Sequence, residues 1–452
     1  MKMMQTERDI AGPTAAPQLQ RSLKLWHLVV YGIIIIQPTA PMGIYGVVSN
    51  LARGHVVTTL AIAMVAMLFT AISYGRMARV YPRAGSAFTY VSEEFNPKAG
   101  YVVGWAMLMD YLLNPIICVI WCSQAARNIV PGVSYVFWVI AFAILITFLN
   151  TRGIQTSGRV NAILSVGMGL VVVLFLAEGV RYIFSTVHPS TADLLRPFYD
   201  RSTFSTTTVF QGASVAVLTY IGFDGISTMA EEVENPRRNI LLATVFTCLI
   251  IGILSMVQVY VAQVAWPANS PFPASMVDTA FVHVAARVGG PILFHLLNAT
   301  LLIANLGSAV AAQFGASRLM FSMGRDNSLP NQIFGQVEPK NHIPRNNVLI
   351  VGAIALFGAF LLTYEQGAEL LNFGAFIAFI GVNAAALVHY KFRSKEKVSL
   401  PFLIPALGIL VCAFIWIHLS HNAQILGVLW ILVGLIIAWF MRKVEKPIIG
   451  AG

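Results

Sequence analysis

Long stretches without a single charge govern what this chain can become. Lys24 to Arg53 encloses 28 uncharged residues, Arg53 to Arg76 encloses 22, Arg127 to Arg152 encloses 24, and Arg201 to Asp224 encloses 22. Two stretches are of double length, 39 residues between Arg238 and Asp278 and 44 between Lys397 and Arg442. A bilayer hydrocarbon core about 30 Å thick is crossed by about 20 apolar residues in a helix. A soluble domain needs about 25% charged residues to cover its surface, whereas this chain of 452 residues has 11% charged and 57% hydrophobic. The chain therefore reads as an all-α integral membrane protein. The first double stretch holds one span and a Pro-containing loop from Trp266 to Pro273, and the second holds two spans joined at Ser420-His421-Asn422. Twelve spans are expected, at about 25–50, 56–78, 100–127, 134–150, 159–183, 207–232, 240–264, 291–321, 347–364, 367–390, 400–420 and 422–441.

Basic residues orient these spans, because cytoplasmic loops carry the excess of Lys and Arg. With a cytoplasmic N-terminus, the inner segments hold 23 of the 29 basic residues, and only Arg53, Arg127, Arg181, Arg196, Arg201 and Arg287 fall outside. Both termini are therefore expected in the cytoplasm. The net charge of +10 is accounted for by insertion, and a nucleic-acid partner drops out; the surrounding partner is the lipid bilayer of the cytoplasmic (inner) membrane.

Other classes are excluded by what the sequence lacks. Cys118, Cys122, Cys248 and Cys412 lie in apolar stretches, and His27, His295, His389 and His418 are scattered without metal-ligand spacing, so no metal is expected. No nucleotide loop or nucleophile elbow appears; no cofactor and no enzymatic activity are expected. The first 24 residues are polar and the first apolar run far exceeds an h-region, so no cleavable signal is expected. The organisation is a cytoplasmic arm (1–24), one transmembrane domain (25–441) and a cytoplasmic tail (442–452). Phe281, Val284, Ala285 and Val288 form an amphipathic pattern expected to lie along the membrane surface. Trp26, Trp105, Trp121, Trp138, Trp266 and Trp430 read as interfacial anchors near span ends, and Glu178 as a partner of headgroups beside Arg181.

Two spans carry interruptions. The first contains Gln37-Pro38-Thr39-Ala40-Pro41-Met42-Gly43, where two prolines remove backbone donors and clash with the preceding turn. The sixth contains Tyr220-Ile221-Gly222-Phe223-Asp224-Gly225, in which glycines bracket a carboxylate. Non-helical backbone at membrane depth survives only where protein encloses it or a wet cavity adjoins it. Spans 1 and 6 correspond if spans 1–5 and 6–10 form two halves, and paired interruptions point to the binding site of a secondary transporter. Ordinary proline and glycine kinks are the alternative.

Four motifs in order carry a family resemblance. They are Tyr81-Pro82-Arg83-Ala84-Gly85-Ser86-Ala87-Phe88-Thr89-Tyr90 with Gly100 and Gly104-Trp105; Asn150 to Asn161; Gly222-Phe223-Asp224 with Ala230 to Arg237; and Ser317-Arg318-Leu319 with Gly324-Arg325-Asp326-Asn327 and Leu329-Pro330. Over nearly its whole length the chain resembles the amino acid–polyamine–organocation (APC) permease superfamily. The resemblance implies a 5+5 inverted-repeat, leucine-transporter-like core, with repeat one at 25–183, repeat two at 207–390 and two additional C-terminal helices at 400–441. It also implies solute import by alternating access.

Within the superfamily the chain is most similar to bacterial putrescine importers, through Gly54-His55-Val56, Phe69 to Gly75, Asp110-Tyr111-Leu112 and Asn372-Phe373-Gly374-Ala375. It departs from that pattern at Gly43, where those importers carry an aspartate. It departs from many proton-coupled relatives at Met168, where they carry a lysine in helix 5.

The expected substrate site is the helix 1 segment Gln37, Pro38, Thr39, Ala40, Pro41, Met42 and Gly43 with the helix 6 segment Tyr220, Ile221, Gly222, Phe223, Asp224 and Gly225. Asp110, about ten residues into span 3, and Asp224 are buried carboxylates, which are costly in a bilayer unless paired or hydrated. Either can bind a substrate ammonium or carry a coupled proton; a structural hydrogen bond to loosened backbone is the alternative. Glu231, Glu232 and Glu234 read as a gate or a solvated helix end, and Tyr31, Tyr111 and Tyr220 as pocket or core residues. A proton ranks above sodium as coupling ion, for which Asn305 and Ser308 are loose ligands. The substrate reads as an amino acid or small amine, with putrescine second because Gly43 leaves one ammonium without a carboxylate. A substrate–product exchanger and a transporter-like sensor without net flux remain as competing readings. A reporter fused after residue 452 is expected to read out in the cytoplasm; a signal from the outer face overturns the topology.

Overall fold

The computed structural model describes residues 23–82, 86–152, 158–230, 233–267, 270–325, 329–338, 343–394, 396, 398 and 400–444. Arg83 to Gly85, Glu231, Glu232, Asp326 and Asn327, together with most of the N-terminal arm and the end of the tail, lie outside the described residues. Among the described residues there is no named strand, and an isolated parallel bridge pairs Leu23 with Val233.

The chain runs through α1 (Leu25–Ile36), α2 (Ala40–Leu51), α3 (Val56–Val80), α4 (Ser86–Glu94), α5 (Pro97–Ile129) and α6 (Tyr135–Thr151). It continues through α7 (Gly158–Tyr182), α8 (Thr191–Leu195), α9 (Thr206–Ala216), α10 (Pro236–Ala265), α11 (Ala280–Arg325) and α12 (Asn331–Phe334). It closes with α13 (Arg345–Leu361), α14 (Tyr364–Val388), α15 (Leu403–Trp416) and α16 (His421–Val444). Helix covers part of all twelve expected stretches. Among the described residues eight helices are long and apolar enough to cross a membrane, nine if α1 and α2, bent by 49°, form one span; α6, α13 and α15 are apolar but shorter.

Local chemistry explains several boundaries. Pro97 opens α5 where its missing N–H costs nothing, and Asn96 caps the turn by accepting from the Ala99 N–H at 2.9 Å. Ser134 accepts from the Phe137 N–H at the start of α6, and Thr363 and Gln366 form a capping box on α14.

Small residues let helix backbones approach, as is common in membrane bundles. A Cβ at Gly374 of α14 would fall 2.3 Å from the Ala106 carbonyl oxygen of α5, and one at Gly75 of α3 would fall 2.5 Å from Leu241 Cα of α10. Around these crossings, Tyr74, Phe223 and Phe379 pack edge-to-face or tilted, with ring centroids 5.5–6.2 Å apart.

At one end of the bundle, the carboxylate of Glu94 accepts from Arg393 Nη1 at 3.0 Å, from the Tyr81 hydroxyl at 2.9 Å, and lies 2.6 Å from His389 Nδ1. This fully buried carboxylate joins α4 to the ends of α3 and α14. At the other end, α2 is packed on almost every side. Tyr45 and Ser49 both donate to Gln263 Oε1 at 3.1 Å, Asn50 exchanges hydrogen bonds with the Phe272 backbone, and a Cβ at Gly46 would lie 2.1 Å from the Val277 carbonyl oxygen.

Two expectations are corrected here. Phe281, Val284, Ala285 and Val288 do not lie on the membrane surface: they are buried, with Phe281 5.4 Å from Tyr45 and 4.6 Å from Phe175. Non-helical Gly289 and Gly290 turn that first part of α11 inward, so its apolar face covers α2. Trp105 and Trp121 are buried rather than interfacial. Trp105 stacks on Trp430 at 4.9 Å, and each indole N–H donates to the other residue's carbonyl. The Glu178 carboxylate pairs with Arg181 at the end of α7.

Gly374→Val is expected to force α5 and α14 apart and to destabilise the protein by about 1–3 kcal/mol, the usual range for overpacking. A thermal melt of the purified variant in detergent checks it, and a wild-type midpoint would contradict the close crossing.

Candidate functional site

The first interruption is a true break. α1 ends at Ile36, and Gln37 takes a left-handed φ of 73°, strained for a non-glycine residue. Pro38 and Thr39 are not α-helical, and Pro41 then sits in the first turn of α2. Breaking the ladder frees carbonyls that lipid cannot satisfy. The Pro38 carbonyl accepts from Gln258 Nε2 of α10 at 3.0 Å, and Gln37 Nε2 donates to the Ala304 carbonyl of α11 at 3.3 Å. The Thr39 hydroxyl points at Met168 Sδ of α7, 3.8 Å away.

The second interruption is longer than a kink. α9 tightens into a 3-10 turn at Val217–Thr219, Gly222 adopts φ 119°, and a second 3-10 segment runs Phe223–Met229. Only glycine accepts that φ without strain. The freed Ser214 carbonyl accepts from Asn372 Nδ2 of α14 at 2.6 Å. Asp224 Oδ1 accepts from the Gly222 N–H at 3.2 Å, and Ser227 Oγ donates to the Asp224 carbonyl at 2.6 Å.

The two breaks meet. A Cβ on Gly222 would lie 2.8 Å from Ile35 Cγ2 and 3.3 Å from Ile36 Cγ1, and one on Gly225 would lie 3.3 Å from Ile35 Cδ1. Around this junction half-buried residues interrupt otherwise buried helices: Gly43 between Met42 and Ile44, Asp110 and Asn114 on α5, and Ile221, Gly222, Asp224 and Gly225. A Cβ on Gly307 of α11 would meet nothing within 4 Å. The breaks thus border interior space, not solid core.

On α5, Asp110, Asn114, Cys118 and Trp121 follow one another at helical spacing and so share a face. Asn114 Oδ1 accepts from Ser308 Oγ at 3.3 Å and from Cys118 Sγ at 3.4 Å. Asp110 lies within Coulombic range of Asp224, and both lie within range of Tyr74 and Tyr111. Neither carboxylate has a cationic partner among the described residues.

The expected site residues therefore divide. Gln37, Pro38, Thr39, Gly222, Asp224 and Gly225 lie at the junction; Ala40 and Ile221 flank it half-buried, and Pro41 and Met42 are buried in α2. Tyr220 turns away, its hydroxyl donating to the Leu60 carbonyl of α3 at 2.9 Å, and Phe223 packs in the aromatic cluster with Tyr74. The Asn305 amide donates to the Leu301 carbonyl of its own helix, and the Ser308 hydroxyl donates to Asn114. Gln258 and Asn372, which cap the freed carbonyls, escaped the reading as site residues. Each is a carboxamide within an apolar span, and Asn372 also lies in the Asn372-Phe373-Gly374-Ala375 motif.

The sequence profile of the amino acid permease family matches residues 28–448. The "Low-affinity putrescine importer PlaP" of Escherichia coli (strain K12) is 32% identical over 450 residues, covering 97% of this chain and 98% of the relative. The "Branched-chain amino acid permease BcaP" of Bacillus subtilis (strain 168) is 27% identical over 470 residues, covering 97% and 96%. The "Methylthioribose transporter" of the same organism is 25% identical over 464 residues, covering 96% of each.

Gln258→Leu removes the donor from the buried Pro38 carbonyl and is expected to cost about 1–3 kcal/mol. Detergent unfolding of the variant measures it; a stability equal to wild type would show that the carbonyl finds another donor.

Proposed function

The chain belongs to the amino acid permease family, and on that premise we propose that it is a secondary active transporter importing an amino acid or small amine across the cytoplasmic membrane by alternating access. The observation that carries this reading is the meeting of two broken helices beside two half-buried carboxylates, Asp110 and Asp224, that have no cationic partner among the described residues. Half-helix ends offer amide and carbonyl groups to a zwitterion, and an unpaired carboxylate at this depth is suited to an ammonium or a proton.

In this proposal all twelve helical stretches cross the membrane, with both termini cytoplasmic as the 23-to-6 distribution of basic residues requires. α1 to α7 form the first repeat, α9 to α14 the second, and α15 and α16 stand outside the core. The site is the junction of the two breaks, with Asp224 or Asp110 holding the substrate ammonium or the coupled proton. Proton coupling ranks above sodium because Asp110 or Asp224 can carry the proton in place of a charged group in α7, where Met168 stands beside Thr39.

Putrescine import is the second reading, supported by the similarity to a putrescine importer 32% identical over nearly the full length. The first reading is preferred because a dication seeks acceptors at both ends, while Gly43 contributes none.

Asp224→Asn and Gly222→Leu are expected to abolish uptake into proteoliposomes while expression persists; Gly222→Leu also imposes a side chain at φ 119° against Ile35. Wild-type uptake by both variants would place the site elsewhere. Uptake is expected to follow an imposed pH gradient, and a strict sodium requirement without pH dependence would reverse the coupling.

A further inference from the structure

The last turn of α14 widens into a π-helical turn, His389–Arg393, whose two sides differ. One side is buried. The Tyr390 hydroxyl donates to the Arg76 carbonyl at 3.0 Å, and His389 joins the Glu94 cluster. The other side carries Lys391, Phe392 and the outer half of Arg393. Phe392 is 72% exposed, and Leu400 and Phe402, at the entry to α15, are exposed as well. Lys391 joins the two segments, its Nζ lying 5.8 Å from the centroid of the Phe402 ring. Large apolar side chains mixed with basic ones at the end of a span fit the boundary between acyl chains and headgroups.

The charge of this face is one-sided. Lys391, Arg393, Lys395 and Lys397 are four of the seven residues from 391 to 397, and Glu396 is the one acid among them. Glu396 is engaged by Arg79, and Glu94 by Arg393, His389 and Tyr81. Among the described residues no carboxylate pairs with Lys391. Arg393 donates through Nη1 to Glu94 Oε2 at 3.0 Å and to the Glu93 carbonyl at 3.4 Å. Its side chain is 51% exposed, which leaves the other N–H groups of the guanidinium fork to an acceptor from outside.

We propose that the face formed by Lys391, Phe392, Arg393, Leu400 and Phe402 binds an anionic phospholipid of the cytoplasmic leaflet. Its phosphate sits between Lys391 and Arg393, and an acyl chain lies along Phe392, Leu400 and Phe402. Charge and place identify the occupant. Basic clusters directly cytoplasmic of a span attract anionic headgroups, and on the topology proposed above this turn lies there. A free phosphate would satisfy the bases and leave Phe392 bare. A neutral lipid would cover Phe392 and leave Lys391 and Arg393 without a counter-charge. An amphiphile with an anionic head does both. Because Arg393 also holds the buried Glu94, a phosphate on its outer N–H groups fixes the guanidinium in place and braces the joint of α3, α4 and α14. Bound lipid therefore stabilises the folded protein by mass action.

The test uses the purified full-length protein in nanodiscs of phosphatidylcholine with increasing phosphatidylglycerol. Phe402→Trp keeps an aromatic ring for Lys391 and adds a local reporter that brominated acyl chains quench. Brominated phosphatidylglycerol is expected to quench the added indole at a mole fraction at least about fivefold below that of brominated phosphatidylcholine, the share one surface base supplies. In the same background Lys391→Gln is expected to lower that selectivity and Lys391→Arg to keep it; Lys391 is exposed, so neither disturbs packing. The unfolding midpoint is expected to rise with phosphatidylglycerol content and not with phosphatidylcholine. Equal quenching by the two lipids, or selectivity that survives Lys391→Gln intact, would overturn the proposal. Displacement of the lipid by inorganic phosphate would also overturn it, by showing a site for a free anion. None of these outcomes bears on the transport reading.

Discussion

The carbonyl of Pro38 lies at membrane depth with no helical partner, and the side-chain amide of Gln258 is what allows it to remain there. In water such a group would be hydrated; in hydrocarbon each unsatisfied backbone group costs several kcal/mol. The break in the first span therefore depends on α10 presenting a carboxamide at that height. The second break has the same requirement, met by Asn372 of α14 at Ser214. Each carboxamide spends its amino group on a freed carbonyl while its own oxygen stays buried without a partner. The non-helical segments are thus held by side chains from helices far away in sequence.

This arrangement makes the two sides of the breaks unequal. Beyond the first break, α2 is clamped by Gln263, Phe272 and the start of α11, and most of its residues are buried. Before it, α1 leans on α10 through Gly32, where a Cβ would fall 2.6 Å from Thr247 Oγ1, and its other neighbours at the junction are the glycines of the second break. The clamp on α2 and the Glu94 cluster are separate sets of polar contacts at opposite ends of the bundle. In the proposed alternating-access cycle, opening one end would give up one set while retaining the other.

How much of this was legible in the sequence follows from the range of each interaction. The spans could be read because hydrocarbon excludes charge, so the gaps between Lys24, Arg53 and Arg76 record the bilayer directly. The breaks could be read because Pro38, Pro41 and Gly222 act on their own backbone. Asp110 and Asp224 were visible because a carboxylate in such a stretch is costly wherever it points. Direction was not visible. Tyr220 and Asp224 are four residues apart, yet one braces α3 and the other borders the interior space. Gln258 resembled an ordinary mid-span residue until packing placed it against the first break, 220 residues away at Pro38. The apolar face of Phe281 was correctly seen and wrongly aimed, because periodicity does not distinguish a lipid surface from the side of another helix.

The neutrality of the α1–α7–α11 junction has a consequence for how solute and ion would be linked. Gln37, Thr39 and Met168 join these elements without a formal charge. The half-buried charged groups beside the breaks, among the described residues, are then Asp110 and Asp224. Two like charges within Coulombic range in a low-dielectric interior oppose joint ionisation, so at least one is stabilised by a proton or by a substrate ammonium. If the ammonium and the proton occupy the same carboxylate, each displaces the other, and the proposed transporter would run as an exchanger. If the ammonium takes one aspartate and the proton the other, each lowers the repulsion felt by its neighbour, binding is mutually reinforcing, and the two move together. In the proposed transporter, symport would therefore require both carboxylates, while exchange would need only one.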